Sequence, residues 1–131
     1  MEFLERPEGA SQSDLALLSR EYSVFLPQDL RTFLSTSDGP ILWFGFKELQ
    51  FLSVSEILQD EYGVRAQMPN ALPLCFDGMS NICVAEIQGN QIVGYYVASC
   101  GNLGWDESVR ISATFADFLT DDLSPEQRVN A

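Results

Sequence analysis

Catalysis at neutral pH usually relies on histidine, and this chain has no histidine among its 131 residues. Histidine is the commonest general base, the usual partner of a serine or cysteine nucleophile and the commonest metal ligand. A carboxylate pair of the glycosidase type needs two acids on facing elements. The sequence singles out no such pair among Asp77, Glu86, Asp106 and Glu107. We therefore expect a protein that is not an enzyme.

Motifs that hold metals or cofactors are also missing from the sequence. The loop Asp77-Gly78-Met79-Ser80-Asn81 offers too few ligands for calcium, and neither a Walker loop nor a dinucleotide fingerprint occurs. Cys75, Cys83 and Cys100 are an odd number of cysteines without the short spacing of a metal site, which favours free, buried thiols. No metal and no cofactor is predicted.

A protein-binding surface needs aromatic side chains beside charged ones outside the core. Trp105, Asp106 and Glu107 follow a glycine turn and fit that description best, and the alternative is that Trp105 only closes the edge of a sheet. Asp77 and Asn81 are a second candidate patch. The alternative for these two is that they bond their own backbone, as Asp and Asn in loops often do.

The chain is strongly acidic, since 19 Asp and Glu residues against 7 Lys and Arg residues give a formal charge of −12. This charge repels phosphate backbones, and the basic residues do not cluster, so we expect no binding to nucleic acid. Strong acidity favours solubility and a steered encounter with a basic protein partner. The alternative is that these charges are ordinary solvated surface.

The sequence also argues against contact with a membrane. Its longest apolar run, Ile41 to Phe46, falls far short of the roughly 20 residues that a membrane helix needs. The first residues lack the basic and apolar regions of a secretory signal. Both observations predict a cytoplasmic protein.

The elements that position these residues begin and end with helices. Three pairs of capping residues predict helix starts: Ser11 with Asp14, Ser53 with Glu56, and Thr114 with Asp117. A further helix is expected to begin at Pro27, because Leu26, Leu30, Phe33 and Leu34 share one apolar face.

Between these helices the sequence predicts a mostly antiparallel sheet of about five to six strands. Gly89-Asn90 between two apolar runs is a strong signal for a tight hairpin. Pro73 indicates a strand at an edge of the sheet or a position early in its strand, and the stretch from Val64 to Ala71 is predicted as a loop. The large aromatic residues assigned to the core are Trp43, Tyr95 and Tyr96.

Two stretches carry a family likeness: Val24-Phe25-Leu26-Pro27-Gln28-Asp29-Leu30-Arg31-Thr32-Phe33-Leu34 with the following Ser37-Asp38-Gly39, and Thr114-Phe115-Ala116-Asp117-Phe118-Leu119. The order of these parts, over roughly residues 10 to 120, resembles the signature of the SMI1/KNR4 (SUKH) superfamily. The family's central Asp-Gly-x-Gly-Asp stretch is similar to Asp77-Gly78-Met79-Ser80-Asn81, where Ser80 and Asn81 replace the second glycine and the second acid.

The resemblance implies a non-catalytic role. Many bacterial members look like immunity proteins that bind and neutralise nuclease or other toxins delivered between cells, and fungal relatives are regulatory scaffolds in cell-wall signalling. Our first hypothesis is therefore a cytoplasmic immunity protein that occludes a basic toxin domain. The alternatives are a regulatory interaction module with another protein partner and, more remotely, a small carboxylate-dependent hydrolase.

Length, composition and resemblance together predict one α+β domain over residues 1–131. It should have N-terminal helices, the antiparallel sheet, and a C-terminal helix packed on the sheet. We expect the core from about residue 10 to about residue 123, with residues 1–9 and 124–131 as loose ends. The sequence does not decide the oligomeric state.

Overall fold

The structure, a computed structural model, describes residues 1–130 and has an α+β fold built on one antiparallel sheet. Within this span the seven strands are β1 (Glu2–Glu5), β2 (Ile41–Trp43), β3 (Glu48–Phe51), β4 (Ala71–Phe76), β5 (Asn81–Gln88), β6 (Gln91–Ser99) and β7 (Val109–Ser112). The six helices of the same span are α1 (Gln12–Tyr22), α2 (Gln28–Thr36), α3 (Val54–Gln59), α4 (Val64–Gln67), α5 (Phe115–Leu119) and α6 (Pro125–Val129). The strands follow one another across the sheet in chain order, and each neighbouring pair is antiparallel.

Three helices start where their capping residues predict. The side chains of Ser11 and Ser53 each accept a backbone N–H at the third helical position, and Asp14 and Glu56 each accept the backbone N–H of the cap in return. Thr114 caps α5 in the simpler form, through its hydroxyl alone. In the described part of the chain, no helix has the length and apolar character needed to span a membrane.

The predicted hairpin between β5 and β6 is confirmed. Gln88 pairs with Gln91 across a two-residue turn, in which Gly89 and Asn90 have φ angles of 56° and 67°. Positive φ at both positions is the geometry that matches the twist of the flanking strands, and glycine and asparagine adopt it most easily. The turn sequence therefore sets the register of the two longest strands.

Five helices, α1, α2, α3, α5 and α6, contribute apolar residues to one side of the sheet, which we call the helical face. Their apolar residues pack against strand residues such as Leu42, Leu49 and Cys83. The opposite side, the second face, carries a smaller cluster that includes Val64, Met68, Ile82, Val84 and Ala98. Among the described residues, none from β1, β2 or β3 belongs to this cluster. The outward residues of these strands therefore lie outside the second-face core, and Glu2, Glu5 and Trp43 among them are exposed.

The prediction of loose ends is wrong for residues 2–5 and 125–129. β1 pairs with β2 and packs Phe3 against the main core, which raises the strand number above the predicted five or six. α6 begins after Ser124, which forms a capping box with Gln127 and precedes the buried Pro125. These cap residues were a usable signal in the sequence. β1 had no comparable signal in its sequence, because a four-residue strand forms only through pairing with its partner strand.

One middle segment also differs from its prediction, whereas Pro73 lies early in its strand, which is one of the two positions predicted. Val64–Gln67 forms a short helix where a loop was expected, and Gly63 precedes it with a φ of 64°. Pro73 lies inside a strand with neighbours on both sides of the sheet. β3, however, pairs only with Cys75 and Phe76, so the first half of β4 has a free side on which proline's missing N–H costs no ladder bond.

Candidate functional site

The loop before β7 places Trp105 against the sheet. Its indole Nε1–H donates a hydrogen bond to the Pro69 carbonyl at 2.8 Å, and its ring meets Tyr96 edge-on with 5.2 Å between centroids. These contacts support the interpretation that Trp105 closes the smaller cluster of the second face. Asp106 and Glu107 beside it are exposed, and a role for them in partner binding stays a prediction.

Asp77 and Asn81 are buried, at 5% and 3% exposure, so the expectation that they form a surface patch needs correction. Asp77 Oδ1 accepts the backbone N–H groups of Met79 at 2.7 Å and Asn81 at 3.0 Å, while its Oδ2 accepts the Asn81 side-chain amide at 2.8 Å. This is the backbone-bonding role that was the alternative for these residues. The pair shapes the turn between β4 and β5.

Asn81 also joins this turn to α6. Its Nδ2 donates to Glu126 Oε2 at 2.5 Å, and Glu126 Oε1 accepts a further hydrogen bond from Asn130 at 2.8 Å. The carboxylate of Glu126 is therefore held in place from both sides. As a result, the β4–β5 turn and the start of α6 behave as one surface unit.

A surface that the sequence analysis missed lies on the second face over β1, β2 and β3. Trp43, which was predicted to lie in the core, is 39% exposed there. Glu2 and Glu48 stand directly opposite it on the two neighbouring strands. Directly opposed residues share one face with Cβ atoms about 5 Å apart, so a carboxylate flanks the indole on each side.

We call this surface the open face and define it by the outward residues of its three strands: Glu2, Glu5, Ile41, Trp43, Glu48 and Gln50. Side-chain alternation places Leu42 and Leu49 on the helical face, where they are buried. The residues between them must then point the other way. The Trp43 prediction failed because the alternation does not reveal which face the helices cover.

The open face continues into a cavity of about 410 Å³ between the β2–β3 turn, the β4–β5 turn and the start of α6. Three large apolar side chains around it are exposed: Trp43 at 39%, Phe46 at 49% and Met79 at 61%. We call these three residues the turn patch. Glu48 and Glu126 also line the cavity.

Lys47, at the bottom of this cavity, is already engaged. It is 5% exposed, and its Nζ donates to the Asp121 carbonyl at 2.9 Å while lying 4.9 Å from the centre of the Phe44 ring. Burial lowers the pKa of Lys47, although the nearby Asp121 opposes this effect. Its charge fastens the segment before α6 to the β2–β3 turn and does not reach the surface.

A second cavity of about 360 Å³ adjoins the open face beneath the end of α3. Its acidic lining residues are Glu5, Glu56, Asp60 and Glu61, and none of its lining residues is basic. Tyr62 overhangs it, meeting Phe76 edge-on with 5.4 Å between ring centroids. Acidic and aromatic groups thus extend along the second face from the turn patch to α3.

The thiols give no sign of an activated nucleophile. Cys75 and Cys83 face each other across β4 and β5 as free, buried residues, and burial raises the pKa of Cys75 well above its usual range. Cys100 is exposed, contrary to the prediction of burial, and partial desolvation raises its pKa as well. A raised pKa keeps a thiol in its unreactive protonated form. Within residues 1–130, no three His, Cys, Asp or Glu side chains converge as metal ligands would.

Comparison with protein families gives one match, to the model of the SMI1 / KNR4 family (SUKH-1) over residues 9–121. The chain belongs to this family. A search of curated proteins found no match. The match to SMI1/KNR4 spans α1 to α5 but leaves out β1 and α6. Glu2 and Glu126, two of the carboxylates around Trp43 and the turn patch, therefore come from elements outside the matched residues.

Proposed function

We propose that this SMI1/KNR4 domain is a non-catalytic binding module that acts in the cytoplasm as an immunity protein. It binds a basic toxin domain, for example a nuclease, and blocks the surface that the toxin uses for its substrate. The observation that supports this proposal most strongly is the open face, where the exposed Trp43 stands between Glu2 and Glu48 on a part of the sheet outside the second-face cluster.

Both charge and shape suit the open face to a basic partner. A nuclease carries a cationic groove for phosphates, and a surface of carboxylates can occupy such a groove and be steered toward it. An exposed tryptophan supplies the large contact area that dominates binding energy at protein interfaces. The lack of histidine and the raised pKa values of Cys75 and Cys100 speak against a catalytic role.

The proposal can be tested by co-expressing the domain with basic toxin domains encoded beside it. Growth should be rescued, and the Glu2→Lys/Glu48→Lys variant should lose rescue and associate at least about ten-fold more slowly at low salt. Asp106→Lys/Glu107→Lys is the matched control, because it makes the same charge change in the loop of Trp105. Thermal unfolding of both variants checks that they remain folded.

Each outcome has a defined meaning. Loss of binding only in the Asp106/Glu107 variant would move the interface to the loop that the sequence predicted. Binding to basic domains without growth rescue would favour the regulatory interaction module, our second candidate. Failure to bind any basic domain would contradict the proposed function.

A further inference from the structure

The turn patch is a cluster of exposed apolar side chains at the end of the open face, and its three residues come from different elements. Trp43 ends β2, Phe46 lies in the following turn, and Met79 lies in the β4–β5 turn. The β4–β5 turn approaches the open face closely at Gly78, which has a φ of 76°. A Cβ atom added at this position would lie 3.3 Å from Gln50 Nε2 and 3.4 Å from Glu48 Oε2. Clustered, exposed apolar residues with a charged rim are typical of a docking site.

The charged rim of this patch is entirely acidic. Glu2 and Glu48 flank Trp43 on the sheet, and Glu126 borders the cavity from α6. Two of these carboxylates are oriented before any partner arrives, because Glu48 accepts a hydrogen bond from Gln50 at 2.5 Å and Glu126 accepts one from Asn81. The only cation lining the cavity, within the described residues, is the engaged Lys47.

We propose that the turn patch receives an arginine side chain of the protein partner. This inference rests on the proposed function, and it adds the chemistry by which the partner is recognised. A guanidinium group is planar, so it can stack on the Trp43 indole while its N–H groups donate to Glu2 or Glu48. The three methylene groups of arginine suit the apolar surface of Phe46 and Met79.

Other occupants fit the patch less well. An acidic segment would meet only carboxylates, and a purely apolar one would leave those carboxylates desolvated without a partner. Lysine carries the right charge but lacks the flat, weakly hydrated head that stacks on an indole. Since Glu2 and Glu126 lie outside the SMI1/KNR4 match, the arginine site depends on elements added to the matched core.

The probe for this proposal is a short blocked peptide with two arginines and two leucines, together with versions in which citrulline or lysine replaces arginine. Titrations at low salt are followed by NMR through the indole N–H signals of the chain's two tryptophans. The Trp43 signal should shift with a dissociation constant in the millimolar range, and binding of the citrulline peptide should be roughly five-fold weaker. The Trp105 signal should stay unchanged, because its N–H is bonded to Pro69.

A variant pair locates the site. Trp43→Leu should weaken binding of the arginine peptide by roughly five-fold, measured from the NMR shifts of the backbone amides of residues 78–80. Phe25→Leu is the control, since Phe25 is 65% exposed but bonds to the β5–β6 turn at the opposite end of β5. Equal binding of arginine and citrulline peptides, or shifts outside the turn patch, would overturn the proposal. So would Trp43 signals that change with protein concentration alone, which would indicate a second copy of the chain.

This test and the test of the proposed function can fail separately. A domain that neutralises a basic toxin but shows no arginine-dependent shift at Trp43 would retain the function and lose the arginine site. Arginine binding at the turn patch without neutralisation of any toxin would retain the arginine site and contradict the proposed function.

Discussion

Single buried polar groups give opposite expectations for two tyrosines in the same core. The Tyr22 hydroxyl donates to the Ile57 carbonyl at 2.9 Å, whereas the buried Tyr95 hydroxyl has no hydrogen-bond partner within residues 1–130. Tyr22→Phe should therefore lower the free energy of unfolding by about 1 kcal/mol, and Tyr95→Phe should raise it by about 1 kcal/mol. Urea denaturation of the two variants checks this, and equal losses would contradict it.

The same residues predict how stability depends on alkaline pH. Burial raises the pKa of Tyr22 to about 12, and it raises the pKa of Tyr95 as well. The unfolded tyrosines ionise near pH 10, so between about pH 10 and about pH 12 the unfolded state binds fewer protons and stability falls. Lys47 has the opposite effect, because its pKa is lowered in the folded state. Its contribution to stability increases as the pH rises from that lowered pKa toward about 10.

Cys75 and Cys100, whose pKa values are raised, oppose Lys47 above about pH 8.5, so we expect urea midpoints measured up to about pH 12 to fall clearly only above about pH 10, where the tyrosines dominate. Tyr95→Phe should flatten the decline on the alkaline side. Midpoints that keep rising above about pH 10, or an unchanged slope in the variant, would be inconsistent with these pKa shifts.

Ser80 carries backbone strain that the family motif explains. It replaces the second glycine of the motif, and its φ of 69° lies in the left-handed region that glycine adopts without cost. Ser80→Gly should raise the free energy of unfolding by about 1 kcal/mol. Ser23→Gly, at a φ of 50°, is a parallel case, and a loss of stability in both variants would argue against strain.

At the scale of elements, Asn81 links the β4–β5 turn to α6. It replaces the second acid of the family motif, and its amide lies between the carboxylates of Asp77 and Glu126. An aspartate at position 81 would place a third negative charge beside Asp77 and Glu126. It would also remove the two N–H donors of the Asn81 amide. Asn81→Asp should therefore cost about 3 kcal/mol at pH 7, measured by urea denaturation.

Two observations check this explanation. The exposed Asn102→Asp change should have little effect, because no such carboxylates surround it. The cost of Asn81→Asp should shrink as the pH falls from 7 toward about 4, because burial beside two carboxylates raises the pKa of the new acid and the folded state takes up its proton first. A pH-independent loss would indicate a packing defect in its place.

At the scale of the whole molecule, the charge of −12 that favours the proposed binding acts against folding. Within the described chain, Arg128 and Asp121 form the one ion pair between side chains, so most of the 19 acids are uncompensated. Raising NaCl from about 10 mM to about 150 mM should screen this repulsion and stabilise the fold by on the order of 1 kcal/mol. Urea midpoints measure this gain.

Neutralising two acids of the α3 cavity provides the control for this effect. Glu5→Gln/Glu61→Gln should show a smaller response to salt than the unmodified chain, because less repulsion is left to screen. Stability that is independent of salt in both proteins would show that the acids are too far apart to interact.

The sequence alone determined the features that depend on near neighbours. Caps such as Ser53 with Glu56, the Gly89-Asn90 turn and the family motifs each act over a few residues, so their effect can be derived from sequence spacing. The α+β class followed from the order of these elements, and the acidic character followed from composition. The same composition, through its charge and its lack of histidine, favours a binding role over a catalytic one.

Tertiary structure decided which surfaces are left for binding. Alternation along β2 shows that Ile41 and Trp43 share a face, but only the packing of the helices on the other side leaves Trp43 exposed. In the same way, only the approach of α6 and the fold of the β4–β5 turn bury Asp77 and Asn81. Such contacts join residues far apart in the chain, and their energy depends on partners that no local pattern specifies.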